Sequence, residues 1–202
     1  MCAQKLGDDF YTRDDVVLIA RDLIGRVLCT QFEGQPLTSG LIVETEAYSG
    51  RNDKACHANN GRKTERTEIM YHRGGVAYVY LCYGIHHLFN VVTNREGQAD
   101  AVLIRAIKPL EGTESMVERR NAESLKPEVT AGPGRLTQAL GITTDHYGTD
   151  LTGDLIWIEN RDDQPTGDIE LVTSPRVGVE YAGDHAKRNW RFTAKDNPWV
   201  SK

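Results

Sequence analysis

The chain has 202 residues, 39% of them hydrophobic and 26% charged, with a formal net charge of −5. That length suits one domain with a genuine core, and the lack of any long apolar run excludes a membrane-spanning helix. The acidic balance argues against wholesale nucleic-acid binding, and the first residues carry no apolar leader segment, so a cytosolic (cytoplasmic) protein is expected.

Thr12 is the expected N-cap of a helix over residues 14–24, with Asp14 and Asp15 in its first turn and Gly25 as its stop. A strand over 26–32, a turn at 33–36 and a second strand over 39–48 follow. Residues 49–68 have no periodicity and read as a long loop, the kind that usually serves function. Residues 76–83 and 87–94 are β-rich around Gly84, which predicts a hairpin with Tyr83, Gly84, Ile85 and His86 at its tip. A strand is expected over 101–106, a helix over 112–121 and a short helix over 135–140, opened by Pro133 and Gly134. Further strands are expected at 155–159, 169–173 and 190–194. The pattern is α+β, with a mixed or antiparallel sheet and few helices.

Four cysteines, at positions 2, 29, 56 and 82, form no CxxC pair. They are expected as free thiols that pack as small hydrophobes, not as zinc ligands. The histidines and carboxylates show no HExxH or similar spacing, so no metal is expected.

Chemistry concentrates between residues 41 and 90. On a strand, Glu44, Glu46 and Tyr48 share one face, which must be wet, paired or catalytic, because a buried unpaired carboxylate is costly. Tyr78 and Tyr80 share a face in the same way. Tyr83 at a hairpin tip is placed to enter a base stack as a wedge. Asn90 and Arg105 are polar interruptions of apolar strands and need partners if buried. Six basic residues against three acidic ones lie between Arg51 and Arg73, whereas residues 145–170 hold eight acidic residues and one basic, Arg161. One mildly basic side implies modest, salt-sensitive contact with DNA. Carboxylate, flat rings and local positive charge suit an enzyme that holds a nucleobase outside its helix and cuts its bond to the sugar.

These residues fall in a series of words: VETEAYSG (43–50), DKACHANNGRKTERTEIM (53–70), AYVYLCYGIHHLFNVVT (77–93), VLIRAIKPLEG (102–112), GPGRLTQALGI (132–142), RVGVEYAG (176–183) and NPWVS (197–201). The chain thereby resembles the 3-methyladenine (alkyladenine) DNA glycosylases of the vertebrate and bacterial type. The resemblance implies one α+β domain over residues 1–202, a curved, mainly antiparallel sheet and a protruding hairpin that intercalates into DNA. It implies a monomer without metal or cofactor that acts on double-stranded DNA containing damaged purines. By position, Glu46 corresponds to the general base that activates water, and Arg105 to the arginine that helps hold that water. Tyr48, His57 and Tyr80 correspond to the base pocket, Asn90 to the amide that clashes with the amine of guanine, and Val177 to a main-chain contact with the water. Tyr83, with Ile85 beside it, corresponds to the wedge, and Arg62, Arg66 and Arg135 to DNA-backbone contacts. Glu65 stands where the family word has proline, Tyr71 where phenylalanine is usual, and Ile85 and His86 where methionine commonly follows the glycine.

A carboxylate that activates water can also stabilise an oxocarbenium-like sugar. Cationic alkylpurines leave readily and favour stacking between electron-rich rings. No matched position supplies an amine for a Schiff base, so the resemblance implies a monofunctional glycosylase. A free-nucleoside hydrolase would use similar chemistry without wedge or phosphate contacts. A non-catalytic lesion reader would bind without releasing base.

Overall fold

The computed structural model describes residues 3–163 and 169–202. Among the described residues, nine strands build one antiparallel sheet: β1 (Ala3–Lys5), β2 (Val27–Thr30), β3 (Thr38–Ser49), β4 (Ala77–Cys82), β5 (His86–Thr93), β6 (Asp100–Glu111), β7 (Ile156–Arg161), β8 (Leu171–Ser174) and β9 (Arg191–Ala194). The order is β1-β7-β2-β3-β6-β5-β4, with β8 paired to β9. The early half of β3 borders β2, and its later half borders β9 through Glu44–Thr193 and Glu46–Arg191. Irregular register against β6 between Ile42 and Thr45 separates the halves and bends the strand.

Short α-helices accompany the sheet: α1 (Asp8–Tyr11), α2 (Val16–Asp22), α3 (Thr113–Arg119) and α4 (Pro133–Leu140). The expected cap of the first long helix moves. Asp15, not Thr12, accepts from the Val17 and Leu18 amides at 2.9 and 3.0 Å, so α2 begins at Val16. Thr12 instead closes α1, its hydroxyl donating to the Asp8 carbonyl at 2.8 Å. Of two adjacent aspartates, the second is the one whose carboxylate reaches the free amides at the helix start. Gly25 follows with φ of 85°, as a stop requires.

The two-residue period of the central strands separates the faces. Val102, Ile104 and Ala106 of β6 join Ile42, Val91 and Phe89 in the main core, closed by α2 and α4. The alternate residues, Ala101, Leu103 and Arg105, point to the other face. There the long loop 50–76 folds over a smaller cluster containing Cys56, Met70, Tyr78 and Val92, and the segment 175–190 packs beside it on another, formed by Ala55, Val179 and Ala182. Cys29 and Cys56 are buried free thiols and Cys82 is half-buried, while Cys2 lies outside the described residues. Among the described residues, no helix is long and apolar enough to cross a membrane.

Candidate active site

A lateral row crosses the second face of the sheet. Glu46 pairs with Leu103, Leu103 with Asn90, and Asn90 with Tyr78. Tyr48, Leu88, Tyr80 and Arg105 lie one pleat away on the same face, so four strands supply one cleft. The cleft has a volume of about 340 Å³, within the range of small-ligand sites.

Glu46 is fully buried at the cleft wall. Its Oε1 accepts from the Val177 amide at 2.8 Å, and its Oε2 accepts from the Tyr48 phenol at 2.7 Å. Arg105 Nη1 approaches the same Oε2 at 3.4 Å. All three donors line the cleft, so Glu46 stands one hydrogen bond behind its surface. Burial and the adjacent Glu46 carboxylate push the Tyr48 phenol well above its ordinary value, which keeps it a donor.

Glu44 is the anchoring carboxylate. Its Oε1 takes Arg105 Nε at 2.7 Å, Arg191 Nε at 2.8 Å and the Ser201 hydroxyl at 2.9 Å, while its Oε2 takes the Ser201 amide at 2.8 Å. Burial opposes its ionisation, but Arg105 and the Ser201 donors outweigh burial and hold it below the usual carboxylate range. Arg105 is therefore fixed from one side by Glu44 while its Nη1 end reaches Glu46.

The loop bearing Val177 is held by a second buried pair. Arg176 donates through Nη2 to Asp53 Oδ1 at 2.8 Å, with a second bond from Nη1 to Oδ2, and Nη1 also reaches the Ala47 carbonyl at 2.7 Å. Its guanidinium lies 4.7 Å from the centre of the Tyr48 ring. One residue thus braces both the ring and the amide that face Glu46.

The opposite wall is aromatic. The Tyr78 and Tyr80 ring centres are 5.2 Å apart, and His57 stands edge-on to Tyr80 at 4.9 Å. Tyr78 hydroxyl bonds His57 Nδ1 at 2.9 Å, and burial pushes that phenol up to about 12. Asn90 donates to the Tyr78 carbonyl at 3.1 Å, which fixes the amide at the cleft. Arg66 folds onto this wall, its guanidinium 4.4 Å from the Tyr80 ring centre. Arg62 and Arg135 are exposed outside the cleft, Arg135 in the first turns of α4. Val177, 49% exposed, presents its amide inward and its side chain outward.

Tyr83 and Ile85 form the hairpin tip, 91% and 71% exposed. Tyr83 has φ of 51° and Gly84 of 73°, and the turn closes by a 3.1 Å bond from the Ile85 amide to the Cys82 carbonyl. A tyrosine in the left-handed region is strained, and a bare ring at that point gains nothing from packing. The turn end of the hairpin is braced by α4. Gly134 sits so close to His86 that an added Cβ would lie 2.9 Å from the imidazole Cγ.

Burial, then the charges of Arg66 and Arg62, pull His57 down to about 4, so it is neutral near pH 7. An unfolded chain takes up that proton near its ordinary ~6.5. Stability from neutral His57 is therefore full above about 6.5 and is lost as pH falls toward 4. Urea unfolding between about pH 7.5 and about pH 4.5 should show a decline roughly 2 kcal/mol larger in the wild type than in His57→Asn. Parallel declines in both proteins would remove His57 from the acid response.

The sequence placed Glu46, Tyr48, His57, Tyr80, Asn90, Arg105 and Val177 in one site, and all gather at this cleft. It did not point to Asp53, Arg176, Arg191 or Ser201 as parts of it. Ser201 and Arg176 lie inside quoted words, but their partners are 157 and 123 residues away. Among the described residues, no group of three or more His, Cys, Asp or Glu is arranged to hold a metal ion.

Comparison with known proteins agrees along nearly the whole chain. A Chlamydia felis protein is 47% identical over 189 residues, covering 93% of this chain and 94% of the relative. A Desulfitobacterium hafniense protein is 42% identical over 205 residues, covering 98% of each chain. A Natranaerobius thermophilus protein is 42% identical over 199 residues, again covering 98% of each. All three carry the provisional name 3-methyladenine DNA glycosylase. The family profile described as methylpurine-DNA glycosylase (MPG) matches residues 9–198, and the chain belongs to that family of N-glycosyl hydrolases.

Proposed function

We propose that the protein excises alkylated and deaminated purines from duplex DNA, by hydrolysis with a water activated by Glu46, and leaves an abasic site in an intact strand. The observation that supports this most is a buried carboxylate whose three donors, Tyr48, Arg105 and the Val177 amide, all line an aromatic cleft. The flipped base stacks on Tyr48 and Tyr80, with His57 at its edge. Asn90, held by the Tyr78 carbonyl, obstructs the exocyclic amine of guanine. The attacking water binds where Arg105 and Val177 converge on Glu46. It is deprotonated as the sugar becomes oxocarbenium-like, and the same carboxylate steadies that charge.

Tyr83 fills the gap left by the nucleotide, with Ile85 beside it, while Arg62, Arg66 and Arg135 steady the DNA backbone. The protein acts as a monomer in the cytosol or nucleoid, in base excision repair. Tyr83→Ser should weaken binding of a lesion duplex about tenfold, because the opened stack is left unfilled, while single-turnover release at saturating protein stays within about threefold. A variant that binds normally and reacts slowly would place Tyr83 in the chemistry instead.

The decisive assay incubates purified protein and chelator with duplexes carrying one hypoxanthine or one ethenoadenine, beside chemically methylated DNA. Free base and alkali-sensitive sites are measured. Release supports the reading. Tight lesion binding without release from any substrate would make the protein a lesion reader. Neither binding nor release would place its substrate outside duplex DNA.

A further inference from the structure

The guanidinium groups around the cleft differ in their compensation. Arg105 and Arg191 share Glu44, and Arg176 is paired with Asp53. Arg66 lines the same cleft, yet none of the ion pairs among the described residues includes it. Its contacts are neutral: the Tyr78 hydroxyl at 3.2 Å from Nε, His57 Nε2 at 3.1 Å from Nη2, and the Tyr80 ring at 4.4 Å. Arginine only donates, so the imidazole nitrogen that faces it must be an acceptor. A second positive charge on that wall would be opposed.

We propose that Arg66 is a charge filter on the bound base, an uncompensated cation that lowers selectivity for cationic purines relative to neutral ones. The inference rests on the base-excision reading above. Methylation at N3 or N7 gives a purine a positive charge, whereas hypoxanthine and ethenoadenine are neutral. The attraction of an aromatic wall for a cation is partly satisfied here by the protein's own guanidinium on Tyr80. A cationic base beside that ring then meets a like charge, which a neutral base does not. Arg66 is substantially exposed, so solvent and salt moderate the effect to a selectivity factor of about fivefold. A backbone role alone predicts something else: loss of affinity that is equal for every lesion.

The test uses wild type, Arg66→Met and Arg66→Lys. Single-turnover release is measured from duplexes with one 7-methylguanine, which is cationic, or one hypoxanthine, which is neutral. Binding is measured in parallel in the Glu46→Gln background, with 7-methylguanine set against its neutral isostere 7-methyl-7-deazaguanine. Arg66→Met should raise the cationic-to-neutral ratio about fivefold in both readouts, more at low salt than at high salt, while Arg66→Lys stays near wild type. An unchanged ratio, or an equal loss on all substrates, overturns the filter and leaves Arg66 a backbone contact. Base release absent in the wild type would overturn the base-excision reading instead. The binding ratio still judges the filter in that case.

Discussion

Glu46→Gln should bind a lesion duplex as the wild type does and release base about 10²–10⁴-fold more slowly. The geometry makes the substitution mild for the fold. Glutamine Oε1 can keep the Val177 amide, now accepted by Glu46 at 2.8 Å. Its NH₂ then faces the Tyr48 oxygen, and the phenol can turn from donor to acceptor. Arg105 remains fixed through Nε to Glu44 at 2.7 Å, so its 3.4 Å contact with Glu46 is the weakest one disturbed. An amide cannot take the proton of an attacking water or oppose the positive charge of the sugar. Binding is read by gel shift and chemistry by single-turnover release. Full activity in this variant would remove Glu46 as the base. Lost binding would make it a scaffold residue instead.

The two glutamates of one strand illustrate what periodicity reveals and what it leaves out. Alternation put Glu44, Glu46 and Tyr48 on one face, and Arg105 on the neighbouring strand joins both carboxylates. Nothing local distinguishes the two. Their difference comes from residues distant in the chain: Ser201 and Arg191 enclose Glu44, while the Val177 amide is brought to Glu46 by the Arg176 loop. β9 lies against β3 where the register of β3 against β6 changes near Glu44, and such an irregularity leaves no alternation to read.

The hairpin was legible because Gly84 punctuates two β-rich runs, yet the positive φ of Tyr83 was not, since a tyrosine gives no sign of left-handed backbone. The basic loop also reads differently once folded. Asp53, one of the three acidic residues of that stretch, is fully buried beneath Arg176, and Arg51 is paired with Asp100. The fold class follows from local pattern. The separation of the role proposed for Glu46 from the structural role of Glu44 follows from long-range pairing.

That pairing gives Arg176→Met a large expected cost to stability, about 3–5 kcal/mol. Arg176 and Asp53 have no side-chain exposure, so removing the cation leaves a carboxylate buried without its bidentate partner. Bonds to the Ala47 and His185 carbonyls are lost as well, although methionine retains much of the volume beside Tyr48 and Trp190. The loss should appear as a lower urea midpoint with an unchanged slope. Adding Asp53→Asn removes the stranded charge and should recover about 2 kcal/mol, a non-additivity expected of directly paired residues. The double variant should nevertheless remain slow in base release, since Arg176 precedes Val177 and positions its amide on Glu46. A midpoint change equivalent to less than about 1 kcal/mol would show that the pair adds little to the fold. Full base release by the double variant would show that the Val177 amide reaches Glu46 without this brace.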